Sequence, residues 1–438
     1  MALRRGRRRG LDELDRSIVA LAVPALGALA VEPLYVLADT AIVGRLGTTP
    51  LGGLAIASTV LNALVWMSNV LSFGTTSRVA RLTGQGDHAG AHRVAAQGLW
   101  LCIVIGLPAA GGVALLARPV AAALGGRGEV LDAATTYLRI SAAGIPFILV
   151  ALLGHGWFRG RSDTRTPLRI VVVANLLNIG LEVLFVYGFH WGVAGSAWGT
   201  VAAQVVTACW FLALGVARLA RPEWDEMRRL LVIGRDLFVR TAALLSVLAL
   251  STAVAARVSP ATLGGHQIAL QFFALLALSV DALAITAQAM VGTRLGAGDE
   301  TGALHVARRL VRIGLYVGAA VGLVVIALSP LVPHGFSADG RVVRQATAAL
   351  VLLGALQVPA AIAFVLDGVL MGASDFRFLK WTTLAGALAF LPFAGAVLVW
   401  HRLGIVGIWA GLLVWMSARS VVSLRRFSRG RWAVQPLG

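Results

Sequence analysis

The chain has 438 residues, of which 58% are hydrophobic and only 13% charged. Soluble domains carry about 25% charged residues, so this composition excludes a soluble fold and points to a polytopic membrane protein built of helices. The net charge of +18 would suit a nucleic-acid binder, but the placement of the charges argues otherwise. About twelve apolar stretches can cross a bilayer, near 17–42, 52–76, 94–117, 131–157, 167–189, 193–217, 231–256, 263–291, 307–332, 343–370, 380–400 and 404–425. Sorted by alternate sides, roughly 29 Lys and Arg fall with the two termini and about 8 on the other face, with Arg240 inside a span. Both termini are then cytoplasmic, in the cell membrane. Anionic lipids are expected partners, and nucleic acid is not. The leading RRGRRRG resembles a secretory or twin-arginine signal, but the apolar run behind it is long and carries two acids, so it reads as a retained span. Cys102 and Cys209 lie in separate apolar spans and offer no disulfide or metal pattern.

The first span, SIVALAVPALGALAVEPLYVLADTAIVG, holds Glu32 and Asp39 with Tyr35 between them. Their spacing puts all three on one helical stripe. A carboxylate at membrane depth is costly, so the stripe should face a bundle interior or a wet cavity, unless Asp39 is simply a wet helix end. Pro24 and Pro33 each free a carbonyl one turn back, making this helix bendable and the two prolines candidate hinges. The second span carries Asn62, Ser68, Asn69, Ser72, Thr75 and Thr76, as helix glue or pathway lining. The fourth holds Tyr137, Pro146 and His155, the histidine being an interfacial residue or a proton relay. Arg159, Arg161, Arg165 and Arg169 follow at headgroup level. In the fifth, Asn175, Asn178 and Glu182 share a face. That stripe and the one on the first span are expected to meet in one polar cavity. In the sixth, Ser196, Thr200 and Gln204 recur every fourth residue, as a packing stripe or as lining. The later spans carry Gln267, Gln271, Asp281 and Gln288 in the eighth and Asp367 in the tenth. Asp281 should be paired or cavity-facing.

The chain repeats itself. Gly84-Gln85-Gly86-Asp87 returns as Gly296-Ala297-Gly298-Asp299, Arg159-Gly160-Arg161-Ser162-Asp163 as Met371-Gly372-Ala373-Ser374-Asp375, Leu51-Gly52-Gly53 as Leu263-Gly264-Gly265, and Gly192-Val193-Ala194-Gly195 as Gly404-Ile405-Val406-Gly407. Every pair is offset by about 212 residues. The offset spans an even number of helices, so the halves should be parallel six-helix bundles related by a pseudo-two-fold axis along the membrane normal, with a substrate cleft between them. The expected divisions are a basic N-terminus at 1–16, an N-lobe at 17–220, a linker at 221–230, a C-lobe at 231–426 and a cytoplasmic tail at 427–438. Asp39 is not duplicated: its repeat partner is Ser251.

ADTAIVGRLG at 38–47, the Gly-rich turns RLTGQGDHAGAHRVAAQG and RLGAGDETGALHVARRL, and WFRGRSDTRTPL with its counterpart LDGVLMGASDFRFLK together resemble the multidrug and toxic compound extrusion (MATE) family, most closely its DinF-like branch. The resemblance implies proton-coupled antiport by alternating access, with Asp39 central, Glu182 where relatives carry an acid, and bending at Pro24; Glu32, where relatives often carry an uncharged polar residue, is a further candidate proton carrier from its place on the stripe. The resemblance implies substrate contacts at the fifth-span asparagines Asn175 and Asn178, at Thr200 and at Asp367, to which the polar groups at membrane depth Tyr35, Tyr137, His155 and Asp281 add further candidate contacts. The seventh span lacks the acid of sodium-coupled relatives, which favours protons. The expected cargo is organic cations or amphiphiles, with no cofactor or metal, no enzymatic activity, and a monomeric state. Two alternatives stay open: a sodium-coupled exporter, and a flippase of lipid-linked precursors, which would need several cations in its cavity.

Overall fold

The computed structural model describes residues 2–216, 220–430 and 432–433, with side chains from Glu13 onward. The arginine side chains of the basic N-terminus, residues 217–219 at the end of the expected N-lobe, and residues 431 and 434–438 of the tail lie outside the described residues. Everything described is helix and short connection. The helices are α1 (Ala2–Gly44), α2 (Thr48–Gln85), α3 (His88–Ala123), α4 (Gly128–Ala142), α5 (Ile145–Gly160), α6 (Arg165–Val183), α7 (Gly192–Ala213), α8 (Trp224–Val258), α9 (Pro260–Gly296), α10 (Glu300–Leu328), α11 (Gly340–Gly372), α12 (Phe376–Val399) and α13 (Gly404–Ser428).

Eleven of these are long and apolar enough to cross a membrane, and α4 with α5 makes a twelfth span bent by 53°. The bend is a departure from the single fourth span that the apolar run suggests. Pro146, in the first turn of α5, has no N–H for the carbonyl four residues back, and its ring crowds that carbonyl. By contrast α1 runs unbroken through Pro24 and Pro33. A π-helical turn, Leu184–Gly188, extends α6.

The helices form two compact units, Val23–Gly234 and Met1–Ala22 with Arg235–Gly438. The first has cores around Leu153, Trp157 and Phe211 and around Leu54, Tyr137 and Leu138. The second packs Leu353, Phe390, Trp409 and Met416. Asp15 near the start of α1 belongs to the second unit through a two-pronged pair with Arg309, at 2.7 and 2.5 Å.

The repeated motifs are the same turns built twice. Gly86 and Gly298 take left-handed backbone, at φ 77° and 74°, which ends α2 and lets the chain turn after α9. Asp87 then accepts from the Gly90 amide at 2.7 Å, and Asp299 from the Gly302 amide at 2.8 Å, capping α3 and α10. The Gly302 amide and then the Arg294 guanidinium hold the Asp299 carboxyl below its ordinary range. Close packing repeats too. A Cβ at Gly160 would stand 2.9 Å from the Thr76 carbonyl oxygen of α2, and one at Gly372 2.6 Å from the Gln288 carbonyl oxygen of α9.

Candidate functional site

In the Val23–Gly234 unit, the stripes on the first, fifth and sixth spans converge. Tyr35 and Asp39 come from α1, Asn178 and Glu182 from α6, Ser196 and Thr200 from α7, and Tyr137 from α4. Glu182 is fully buried, and Asp39, Asn178 and Tyr137 are buried. The Tyr35 hydroxyl donates to Glu182 Oε1 at 2.9 Å and lies 3.0 Å from Thr200 Oγ1. Ser196 Oγ donates to Asp39 Oδ1 at 2.7 Å. Tyr137 lies near Ser196 and Thr200.

The two carboxyls are close enough to interact with each other. Glu182 Oε2 meets no donor among the described residues. A hydrogen bond between two carboxyls exists only when one of them carries the proton. The arrangement is two buried carboxyls side by side, surrounded by hydroxyls that can donate or accept. Asn178 Oδ1 also lacks a partner and offers a buried acceptor beside the pair.

Local packing explains the convergence. A Cβ at Gly199 would sit 3.0 Å from Glu182 Cγ, and one at Gly195 2.8 Å from the Phe185 carbonyl carbon. Glycine at both positions lets α7 lie directly on α6, one turn apart, with Ser196 and Thr200 beside them.

The remaining sequence candidates fall elsewhere. Glu32 is exposed on α1 and takes no part in the network. Asn175 is half-buried and donates to the Val171 carbonyl at 2.8 Å. The His155 ring packs on Phe211, with centroids 5.3 Å apart. Asp281 is half-buried on α9 in the second unit. Asp367, buried on α11 of that unit, binds the chain's own cations: Arg240 of α8, and Arg419 of α13 at 2.7 Å, both on Oδ2. Arg419 also leans on Trp415 and donates to Met416 Sδ. By charge counting Arg419 belonged with the basic face; it is instead 1% exposed, because Asp367 lies within reach inside the unit. Ser196, on a stripe that the sequence left as packing or lining, is a direct partner of Asp39. Its signal was the four-residue spacing from Thr200.

The second copy confirms that the fold does not need this chemistry. At the repeat offset, Tyr35, Asp39, Tyr137, Asn178, Glu182, Ser196 and Thr200 become Val247, Ser251, Ala349, Phe390, Ala394, Ile408 and Leu412. All but Ser251 are members of the second unit's hydrophobic core.

Comparison with known proteins agrees with the duplication. The model of the MatE family matches the chain twice, over residues 24–184 and 237–394. The chain is 31% identical over 445 residues to Protein DETOXIFICATION 44, chloroplastic, of Arabidopsis thaliana, covering 97% of this chain and 84% of that protein. It is 27% identical to DNA damage-inducible protein F of Escherichia coli (strain K12), covering 96% and 94%. A solved outward-facing multidrug resistance MATE family transporter of the MOP superfamily superposes with a TM-score of 0.86 at 22% identity, over 95% of this chain and 97% of that one. Twelve apolar spans, the tandem repeat and a match to each half place the chain in the MatE family of multidrug and toxic compound extrusion transporters.

Proposed function

We propose that the chain is a proton-coupled exporter of organic cations or amphiphiles, working by alternating access in the cell membrane with both termini cytoplasmic. The observation that carries the reading is the buried Asp39–Glu182 carboxyl pair with its shell of hydroxyls. A carboxyl pair that binds either a proton or a cation makes the two compete, and such competition is the coupling that antiport requires. Tyr35, Tyr137, Asn178 and Thr200 are assigned to substrate contact around the pair, and Asp39 with Glu182 to proton exchange. Glu32, exposed on the same helix, is assigned to proton entry or exit. Pro24 and Pro33 supply the weak points at which α1 would bend.

The sodium alternative is weakened because Asp367, the acid of the tenth span, already has two guanidiniums. Those same guanidiniums are committed to a carboxylate, which weakens the flippase alternative. Proteoliposomes loaded with a fluorescent organic cation test the reading. An imposed pH gradient should drive its movement and a sodium gradient alone should not; the opposite result reverses the coupling assignment.

A further inference from the structure

A cavity of about 60 Å³ opens where α2 ends and α3 begins, against the end of α5. Its walls are Thr83, His88, Ala91, His92, Trp157 and Arg161. A water needs about 10–15 Å³ of such volume, so the space suits the five heavy atoms of one phosphate group. The lining carries a guanidinium and two imidazoles, which donate N–H bonds, and no carboxylate. The nearby acids are engaged elsewhere: Asp87 caps Gly90 and lies 3.8 Å from Arg93, and Asp163 accepts from Thr166 at 2.6 Å. Thr83 Oγ1 is buried with no hydrogen-bond partner among the described residues. Trp157, 2% exposed, props two of the walls, with the His92 ring at 4.6 Å and the Arg161 guanidinium at 5.4 Å from its ring.

The tandem copy shows that the turn itself does not require these groups. Asp299 caps Gly302 as Asp87 caps Gly90, yet the positions equivalent to Thr83, His88, His92, Trp157 and Arg161 are Leu295, Glu300, Leu304, Val369 and Ala373. One copy makes the corner with apolar residues and an acid; the other lines it with phosphate-binding groups. We propose that this cavity binds a phosphate group, carried by an anionic lipid headgroup or by a free phosphate. The loops here lie on the side that the arginine count assigns to the cytoplasm, where anionic headgroups concentrate.

Native mass spectrometry of the full chain in detergent, titrated separately with phosphatidylglycerol and with inorganic phosphate, tests the site. Arg161→Gln and Thr83→Val remove lining groups, and Arg165→Gln removes an exposed arginine at the start of α6, outside the cavity. Wild type should bind one probe at least tenfold more tightly than Arg161→Gln and severalfold more tightly than Thr83→Val, with Arg165→Gln matching wild type. Retained phosphatidylglycerol assigns the headgroup; retained inorganic phosphate alone assigns a soluble ligand. The proposal fails if neither probe binds, if Arg161→Gln and Thr83→Val bind as wild type does, or if Arg165→Gln weakens binding as much as Arg161→Gln.

Discussion

Asp39 and Glu182 are held by hydroxyls from two helices, α1 and α7, and none of these partners is a cation. An amide at position 39 would still accept from Ser196 but could not give up a proton. Asp39→Asn should therefore lower gradient-driven export by roughly tenfold or more while the purified protein melts as wild type does. If the two carboxyls share one proton, Asp39→Asn combined with Glu182→Gln should export no less than the weaker single variant, since residues acting as a unit are not additive. Export by Asp39→Asn at the wild-type rate would remove that residue from the coupling. At this scale the sequence singled out Asp39, Asn178 and Glu182 because acids and amides at helical spacing are rare in lipid-spanning runs, with Tyr35 on the stripe of Asp39. It left Ser196 between packing and lining, since a serine every fourth residue also serves plain helix packing.

The placement of Glu182 depends on α7 lying against α6 and its π-helical extension. Alanine at Gly195 would bring a Cβ to 2.8 Å from the Phe185 carbonyl carbon and 2.9 Å from its oxygen. Backbone cannot yield as a side chain can, so the helices must part, at a cost of about 1–3 kcal/mol. Gly195→Ala should lower the melting temperature by several degrees and reduce export with it; Gly234→Ala, where a Cβ meets open space, should do neither. Unchanged melting of Gly195→Ala would mean that α7 can shift without loss. Hydropathy located these helices but not their details. The break between α4 and α5 requires Pro146 to act on a helix that apolar content alone would continue. The last turns of α2, residues 77–81, run past the apolar span at 52–76 and are buried in protein, which no hydropathy pattern shows.

Over the whole chain, one unit buries an acid pair and the other buries two guanidiniums on one carboxylate. The positions matching Arg240, Asp367 and Arg419 in the first copy are Ala28, His155 and Thr207, so each half has discarded the other's polar chemistry. Asp367 is the counter-charge for Arg240 and Arg419, whose side chains are 7% and 1% exposed. Breaking a buried pair by removing one partner costs about 3–5 kcal/mol, and here two guanidiniums would be stranded. Asp367→Asn should consequently lower the melting temperature in detergent far more than Asp39→Asn does. Equal melting of the two variants would show that water or lipid already reaches the arginines.

The sequence by itself determined the membrane class, the spans, the tandem repeat and the family, because bilayer thickness and internal duplication are written in linear patterns. It also named the acids, since a charge inside an apolar run stands out without any structure. Only the tertiary structure decided which groups meet: Asp39 with Glu182 and Ser196, Asp367 with Arg240 and Arg419, Thr83 with His92 and Arg161. Those partners lie between about 9 and 160 residues apart along the chain, and hydrogen bonds and ion pairs depend on distances in space that helix packing sets. A stripe tells which way a side chain points along its own helix; what stands opposite is fixed by the neighbouring helix.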